Sequence, residues 1–440
     1  MQTRKILLQS GLVAFMALTA ISVKAQSEPH PIGLKAAIDS AFQNNDQIRR
    51  AVLDRRIAGE QFKQTNAIFL PNVELSHTAL FTNDPLNAFG FKLQQQAVTM
   101  ADFDPSKLNA PGFSKNFISQ VEVMQPLLNV DAIYQRKGAG QMKMMNQWSE
   151  QRTREYVTFL VTRAYMETYL AYQSLDVMQK ALETARSMSA RAQDMFDQGL
   201  ITNADLLDAQ IYVRKLETDV ATAKSNIRNA SDQLSLLMGE NPGQEWLITS
   251  LPQIELPDSE ASIQGRSDIM ALNSALKAMQ YKVSSEKMSL VPRINAFGTY
   301  SMHDTKPFRF NNDSYMFGVK LSWKIFSGTQ DWHKIKAAKL EQMKVESQVD
   351  ETQKQGQAEI AKSKRQLSDV EYEIQQGRTM VQQAQESFAI MQDRYQQGLV
   401  TTADVLRAQT QVAQTELGLQ VAYFKKGLTT AYLKLITSSN

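Results

Sequence analysis

Phe196–Gln210 reads FDQGLITNADLLDAQ and Tyr395–Gln409 reads YQQGLVTTADVLRAQ. Gly199, Leu200, Thr202, Ala204, Asp205, Leu207, Ala209 and Gln210 recur as Gly398, Leu399, Thr401, Ala403, Asp404, Leu406, Ala408 and Gln409. A duplication this long means two copies of one structural unit, and therefore pseudo-symmetry inside a single chain. Ahead of the first copy, Ala171, Leu175, Met178, Leu182, Ala185, Ser189, Ala192 and Phe196 step by alternating fours and threes, the heptad seam of a coiled coil. Val370, Ile374, Gly377, Val381, Ala384, Phe388, Met391 and Tyr395 repeat that seam at a constant offset. Beyond the segment, a second seam runs from Leu206 through Ala209, Val213, Leu216 and Val220 to Leu237, echoed less cleanly from Val405 to Ile436. Each repeated segment is thus read as a turn between two antiparallel helices, and the many small seam residues predict slender packing.

The turn has a mechanical reading. Gly199 and Gly398 can take the left-handed conformation that closes a helix, while Thr202 and Thr401 can cap the next one, with Asp205 and Asp404 at its third position.

Residues 1–25 carry Arg4 and Lys5, an apolar run from Ile6 to Ile21, and small residues before Gln26, which predicts a cleaved signal peptide. The chain has no cysteine, so neither a lipidated N-terminus nor a disulfide is expected. Without Arg4, Lys5 and Lys24, basic and acidic residues are equal in number, which argues against nucleic acid as a partner.

Two stretches in each half alternate like membrane strands. Val73, Leu75, His77, Ala79 and Phe81 oppose Glu74, Ser76, Thr78 and Thr82; Phe117, Ser119, Val121 and Val123 oppose Gln120 and Glu122. Ile294, Ala296, Gly298, Tyr300 and Met302 oppose Asn295, Thr299 and Ser301; Tyr315, Phe317, Val319, Leu321 and Trp323 oppose Gly318, Lys320 and Ser322. An apolar face opposite a polar one over about ten residues suits a tilted strand of an outer-membrane barrel, with Tyr315, Phe317, Val319 and Leu321 toward lipid.

Each half therefore reads helix, strand, loop, strand, very long helix, turn, helix. The leading helices are expected at Gly33–Phe69 and Gly265–Leu290, ended by Pro71 and Pro292. Thr82–Asn116 is expected to be a long outer loop and His303–Asp313 a short one. After Pro126 or Phe326, about seventy proline-free residues allow a rod on the order of 100 Å. The organisation is a signal peptide at 1–25, a first repeat at 26–238, an irregular linker at 239–264 and a second repeat at 265–440.

On the duplicated turns, the prolines in Phe69-Leu70-Pro71-Asn72 and Leu290-Val291-Pro292-Arg293, and the two hairpins, the chain resembles the TolC-like outer-membrane efflux protein family over essentially all of its mature length. The resemblance implies a mainly α fold with a β-barrel portion: a homotrimer in which twelve strands close one barrel and twelve helices form a periplasmic tunnel. It implies an exit duct of a tripartite efflux or type I secretion system, in the outer membrane and reaching into the periplasm, joined to a periplasmic adaptor and an inner-membrane pump. In such ducts the turns receive the adaptor, here Gly199, Leu200, Thr202, Gly398, Leu399 and Thr401. Asp205 and Asp404 match acidic positions at the tunnel constriction. Asp208 is replaced by Arg407 in the second copy, so a mixed lock is expected rather than an all-acidic ring.

No enzyme, cofactor or metal site is expected. His30, His77, His303 and His333 are scattered; Gln141–Met145 reads QMKMM, which could offer thioethers to a soft metal, but Met142 and Met145 read more simply as helix-packing residues. Two other readings, a periplasmic adaptor and a poreless coiled-coil envelope protein, fit less well with two hairpins interleaved with membrane-like strands.

Overall fold

The computed structural model describes residues 29–255 and 263–437; the expected signal peptide and part of the expected linker lie outside the described residues. In chain order the elements are β1 (His30–Pro31), α1 (Leu34–Asn44), α2 (Asp46–Gln64), β2 (Asn72–Thr82), α3 (Pro85–Gln94), α4 (Pro105–Asn109) and β3 (Ser114–Leu128). There follow α5 (Val130–Asp197), α6 (Asn203–Met238), β4 (Trp246–Leu247) and α7 (Ser267–Met288). The chain continues with β5 (Arg293–Asp304), β6 (Asn312–Ser322), α8 (Gln330–Gln396) and α9 (Thr402–Ile436). The two long helices have 68 and 67 residues, as the proline-free stretches require. No described helix is long and apolar enough to cross a membrane.

The chain divides into two compact units, each built from both repeats. The first takes 1–46, 156–256 and 362–435, and its described residues are mainly helical, with the β1-β4 pair beside the helices. Val177, Ala181, Leu182 and Ala185 of α5 pack with Leu216 and Val220 of α6 and with Ala413 of α9. The seam expected through Ala171, Leu175 and Met178 is only half-buried there, whereas Val177 and Ala181 are buried. The reason is that α5 is covered by two partners, which widens its buried stripe beyond a two-helix seam. Val370 and Ile374 of α8 pack on Ala422 of α9 in the second repeat.

Three sequence expectations change. The first leading helix is broken at Asn45, where the backbone turns extended (φ −66°, ψ 126°) and the side-chain amide donates to the Leu237 carbonyl at 2.7 Å. Gly239 closes α6 at φ +76°, and any Cβ there would collide with the Asn44 backbone, so this joint requires glycine. The linker is not wholly irregular: β4 pairs in parallel with β1, and buried Trp246 donates from Nε1 to Ser235 Oγ at 2.7 Å. The long loop after β2 is also folded, since it contains α3, capped by Asp84, and α4, capped by Asp104.

The second unit takes 47–155, 257–361 and 436–440 and holds an antiparallel sheet in the order β2-β3-β5-β6. Strand β3 runs on through Pro126, with a register shift between Pro126 and Leu128 that lets the proline sit in a strand. At the foot of the sheet, buried Asp131 in the first turn of α5 accepts from Arg293 Nη2 at 2.5 Å and Nε at 3.2 Å. The corresponding Asp331 of α8 takes Lys324 at 2.8 Å and the Ser327 hydroxyl at 2.7 Å. These charge-assisted bonds tie strand ends to helix starts, where a carboxylate also suits the helix dipole.

Candidate functional site

The two turns are built alike. Gly199 (φ +74°) and Gly398 (φ +72°) occupy the left-handed region. The Gly199 N–H donates to the Phe196 carbonyl at 2.8 Å and the Leu200 N–H to the Met195 carbonyl at 2.8 Å. Gly398 and Leu399 donate in the same way to Tyr395 and Arg394, each at 3.0 Å. This crossed pair is the Schellman closure of a helix C-terminus. The next helix opens with a capping box: Thr202 N–H and hydroxyl donate to Asp205 Oδ2 at 3.1 and 2.7 Å, and Asp205 N–H donates to Thr202 Oγ1 at 3.3 Å. Thr401 and Asp404 reproduce it at 3.1, 2.8 and 3.3 Å. Every turn residue that recurs for backbone reasons is thereby accounted for.

What the caps leave over is Leu200 and Leu399, which are 65% and 61% exposed, while their neighbours Ile201 and Val400 turn inward. Both turns rest on one shared core that includes Met188, Ala192, Leu206, Tyr395 and Val405. Tyr395 and Thr402 share a buried hydroxyl hydrogen bond at 3.1 Å, and Tyr212 pairs with Thr410 at 3.0 Å across the two repeats. The packed base thus holds each exposed leucine at the outer end of its turn.

Of the four charged tip residues, Asp205 and Asp404 each commit an oxygen to a cap. Asp208 is exposed, and Arg407, 80% exposed, approaches Asp404 Oδ1 at 3.9 Å within its own helix. Thr401 holds the Asp404 carboxyl below its ordinary value of 3.8, chiefly by donating its hydroxyl and then its backbone N–H to the carboxylate, with Arg407 adding a smaller attraction. A carboxyl that titrates lower when folded stabilises the fold above its ordinary value, and that contribution is lost as pH falls below about 4. Asp404→Ala is accordingly expected to lower the unfolding temperature at pH 7, with the difference from the parent chain shrinking toward pH 3. Calorimetry in detergent at the two pH values checks this; an equal difference at both would remove the cap from the account.

The sheet sorts its side chains by face. Register puts Leu75, Val121, Tyr300 and Tyr315 in one row and Val73, Val123, Gly298 and Phe317 in the next. The opposite face carries Ser76, Gln120, Ser301 and Ser314 in one row and Glu74, Glu122 and Thr299 in another, with Met316 as an apolar exception. Tyr315, Phe317, Val319 and Leu321 are 75%, 79%, 65% and 63% exposed on the apolar side. Exposed aromatics gather at both ends: Phe81, Phe113 and Phe308 beside the hairpin tips, and Phe69, Trp323 and Phe326 beside the helices. Rows of exposed apolar residues bounded by aromatics are what a bilayer-facing sheet requires.

The outer membrane efflux protein family matches residues 37–240 and 259–438. The chain belongs to that family. Its relatives include the cation efflux system protein CusC of Escherichia coli O157:H7, 20% identical over 318 residues that make up 70% of this chain and 65% of CusC. The match thus spans just under two thirds of that relative's length. Outer membrane efflux protein BepC of Brucella suis biovar 1 is 21% identical over 357 residues, 77% of this chain and 78% of BepC. The crystal structure of the Campylobacter jejuni CmeC outer membrane channel superposes with a TM-score of 0.79 at 15% identity, covering 92% of this chain and 85% of CmeC. That likeness establishes the fold.

Within this outer membrane efflux protein, the sequence reading missed the exposed apolar pair Leu207 and Ile211 on α6. Their counterparts Leu406 and Thr410 are buried and half-buried. The signal was present in the imperfection of the repeat, since Ile211 faces Thr410 in the alignment of the two copies.

Proposed function

We propose that three copies close into a passive exit duct through the outer membrane and periplasm, with a twelve-stranded barrel above a helical tunnel. The observation that carries this is a four-stranded sheet with one lipid-suited face and two edges, β2 and β6, that pair with no further strand among the described residues. Open edges are not tolerated in hydrocarbon, and four strands are too few to close a barrel. Eight would be filled by side chains, whereas twelve leave room for a water-filled lumen. Glu74, Ser76, Gln120, Thr299, Ser301 and Lys320 then line the lumen, and Tyr315, Phe317, Val319 and Leu321 meet lipid.

The tips at Gly199, Leu200, Thr202, Gly398, Leu399 and Thr401 receive a periplasmic adaptor, itself bound to an inner-membrane pump that supplies the energy. Asp205, Asp208, Asp404 and Arg407 surround the periplasmic constriction. There Arg407 of one copy is locked by a carboxylate of another. Arg407→Ala is expected to raise single-channel conductance in planar bilayers, and high salt to mimic it by screening. Unchanged conductance in both Arg407→Ala and Asp205→Ala would leave the constriction to apolar packing. The duct itself is tested by native mass spectrometry in detergent, where a stable monomer or dimer would refute it.

A further inference from the structure

We propose that the outer end of the sheet's lipid-facing surface binds a phosphorylated lipid of the outer leaflet, through Lys115, Lys306 and Arg309 beside a ledge of stacked aromatic rings. This rests on the face assignment made above and adds a ligand class to it. The helices reach into the periplasm, so the hairpin tips mark the outer leaflet.

The ledge draws on both hairpins. Pairing puts Phe81 beside Lys115 and Ala79 beside Phe117, on the face that carries Leu75 and Val121. Phe81 stacks on Phe113 with ring centroids 5.7 Å apart and meets Phe117 edge-on at 6.0 Å. Further from the tip, His77 shares a 2.8 Å hydrogen bond with Ser119 and stacks on Phe308 at 4.5 Å. Phe308 belongs to the β5-β6 turn, which therefore folds back over the first hairpin on that same face. Its backbone lies at φ +54°, a conformation that strains a bulky residue, yet its ring stays 71% exposed. The turn is organised around buried Asp304, which accepts the Lys306 N–H at 3.0 Å and the Asn311 side-chain amide at 2.9 Å. A ring displayed at a conformational cost, instead of buried, is presented to a partner outside the chain.

What surrounds the ring sets the chemistry of that partner. Lys306 and Arg309 flank Phe308, Lys115 shares the face, and all three are exposed with no salt bridge among the described residues. Asp313, an exposed acid on this face, accepts the Tyr300 hydroxyl at 3.3 Å. The ledge continues the apolar rows that suit lipid, so acyl chains lie along those rows and a headgroup lies level with the rings. Aromatic rings favour that boundary, and clustered cations there complement phosphate.

Native mass spectrometry of the full chain in detergent with added lipid A is expected to show retained lipid, and dephosphorylated lipid A should be retained several-fold less. Lys306→Gln with Arg309→Gln should weaken retention of lipid A roughly 25-fold, about a factor of five for each cation at an anionic lipid surface. Lys306→Arg with Arg309→Lys keeps both charges and should restore it. Phe308→Asn suits the left-handed backbone but removes the ring, and should weaken retention several-fold. Equal retention of the two lipids by the parent chain, or full retention by the double glutamine variant, overturns the site and leaves the face assignment standing. Equal tolerance of Val319→Asp and Lys320→Asp in assembly strikes the face assignment instead.

Discussion

Val319→Asp is expected to prevent the protein from assembling in the outer membrane, whereas Lys320→Asp should assemble normally and shift ion selectivity toward cations. The two positions are adjacent on β6, so composition and local propensity barely distinguish them. Their faces do. Val319 stands 65% exposed on the apolar face and pairs with Ala296, while Lys320 pairs with Asn295 on the polar face. A carboxylate at the lipid-facing position costs about 2 kcal/mol in one copy. In the proposed trimer three copies would incur it three times, enough to cancel a large share of an ordinary folding free energy of roughly 5–15 kcal/mol. At position 320 of the proposed barrel the same carboxylate would meet lumen water and reverse a charge that passing ions encounter. Heat-modifiable mobility of the trimer band and reversal potentials under a salt gradient separate the two outcomes. Equal tolerance of both substitutions would invert or abolish the face assignment.

The second large effect is at the tips. Gly398→Val should abolish export while the barrel still assembles, and Gly199→Val should do the same. Each glycine sits at positive φ, where a β-branched residue is strained by about 1–2 kcal/mol or more, and open space around each Cβ position excludes a clash as the cause. The damage is therefore confined to the direction in which Leu200 or Leu399 is presented. Gly398→Asn, which tolerates the left-handed region, should retain most export. Wild-type export by a chain carrying both valines would remove the tips from the docking account.

How far the sequence could be read follows the range of the interactions involved. The tips were legible because their closure is local: glycine, threonine and aspartate act within a few residues, and the capping box at Thr202 and Asp205 appears as its spacing implies. Strand faces were legible because alternation is local too. The break at Asn45 was not, since the side chain that stabilises it reaches a carbonyl on α6. Likewise the pairing of His30–Pro31 with Trp246–Leu247 joins segments that carry no common pattern. The prolines at 85 and 105 read as loop residues, yet each opens a short helix, because proline at a first helical position is favourable once an aspartate cap precedes it. For the charged tip residues, spacing alone could not separate capping from gating; hydrogen bonds assign Asp205 and Asp404 to caps and leave Asp208 and Arg407 without that duty.

The copies agree in backbone but differ in sign. Where the first tip carries an exposed acid at Asp208, the second carries an exposed base at Arg407, and the buried Tyr395–Thr402 bond has Phe196 and Asn203 in the equivalent places. Three chains in a ring would therefore present six turns of one shape whose polarity alternates around the circumference. Identical ligands seated one per turn could not bind with a single affinity. They would sort into two interleaved sets of three, and a titration of isolated partner against the trimer would show two steps, the first saturating at half occupancy.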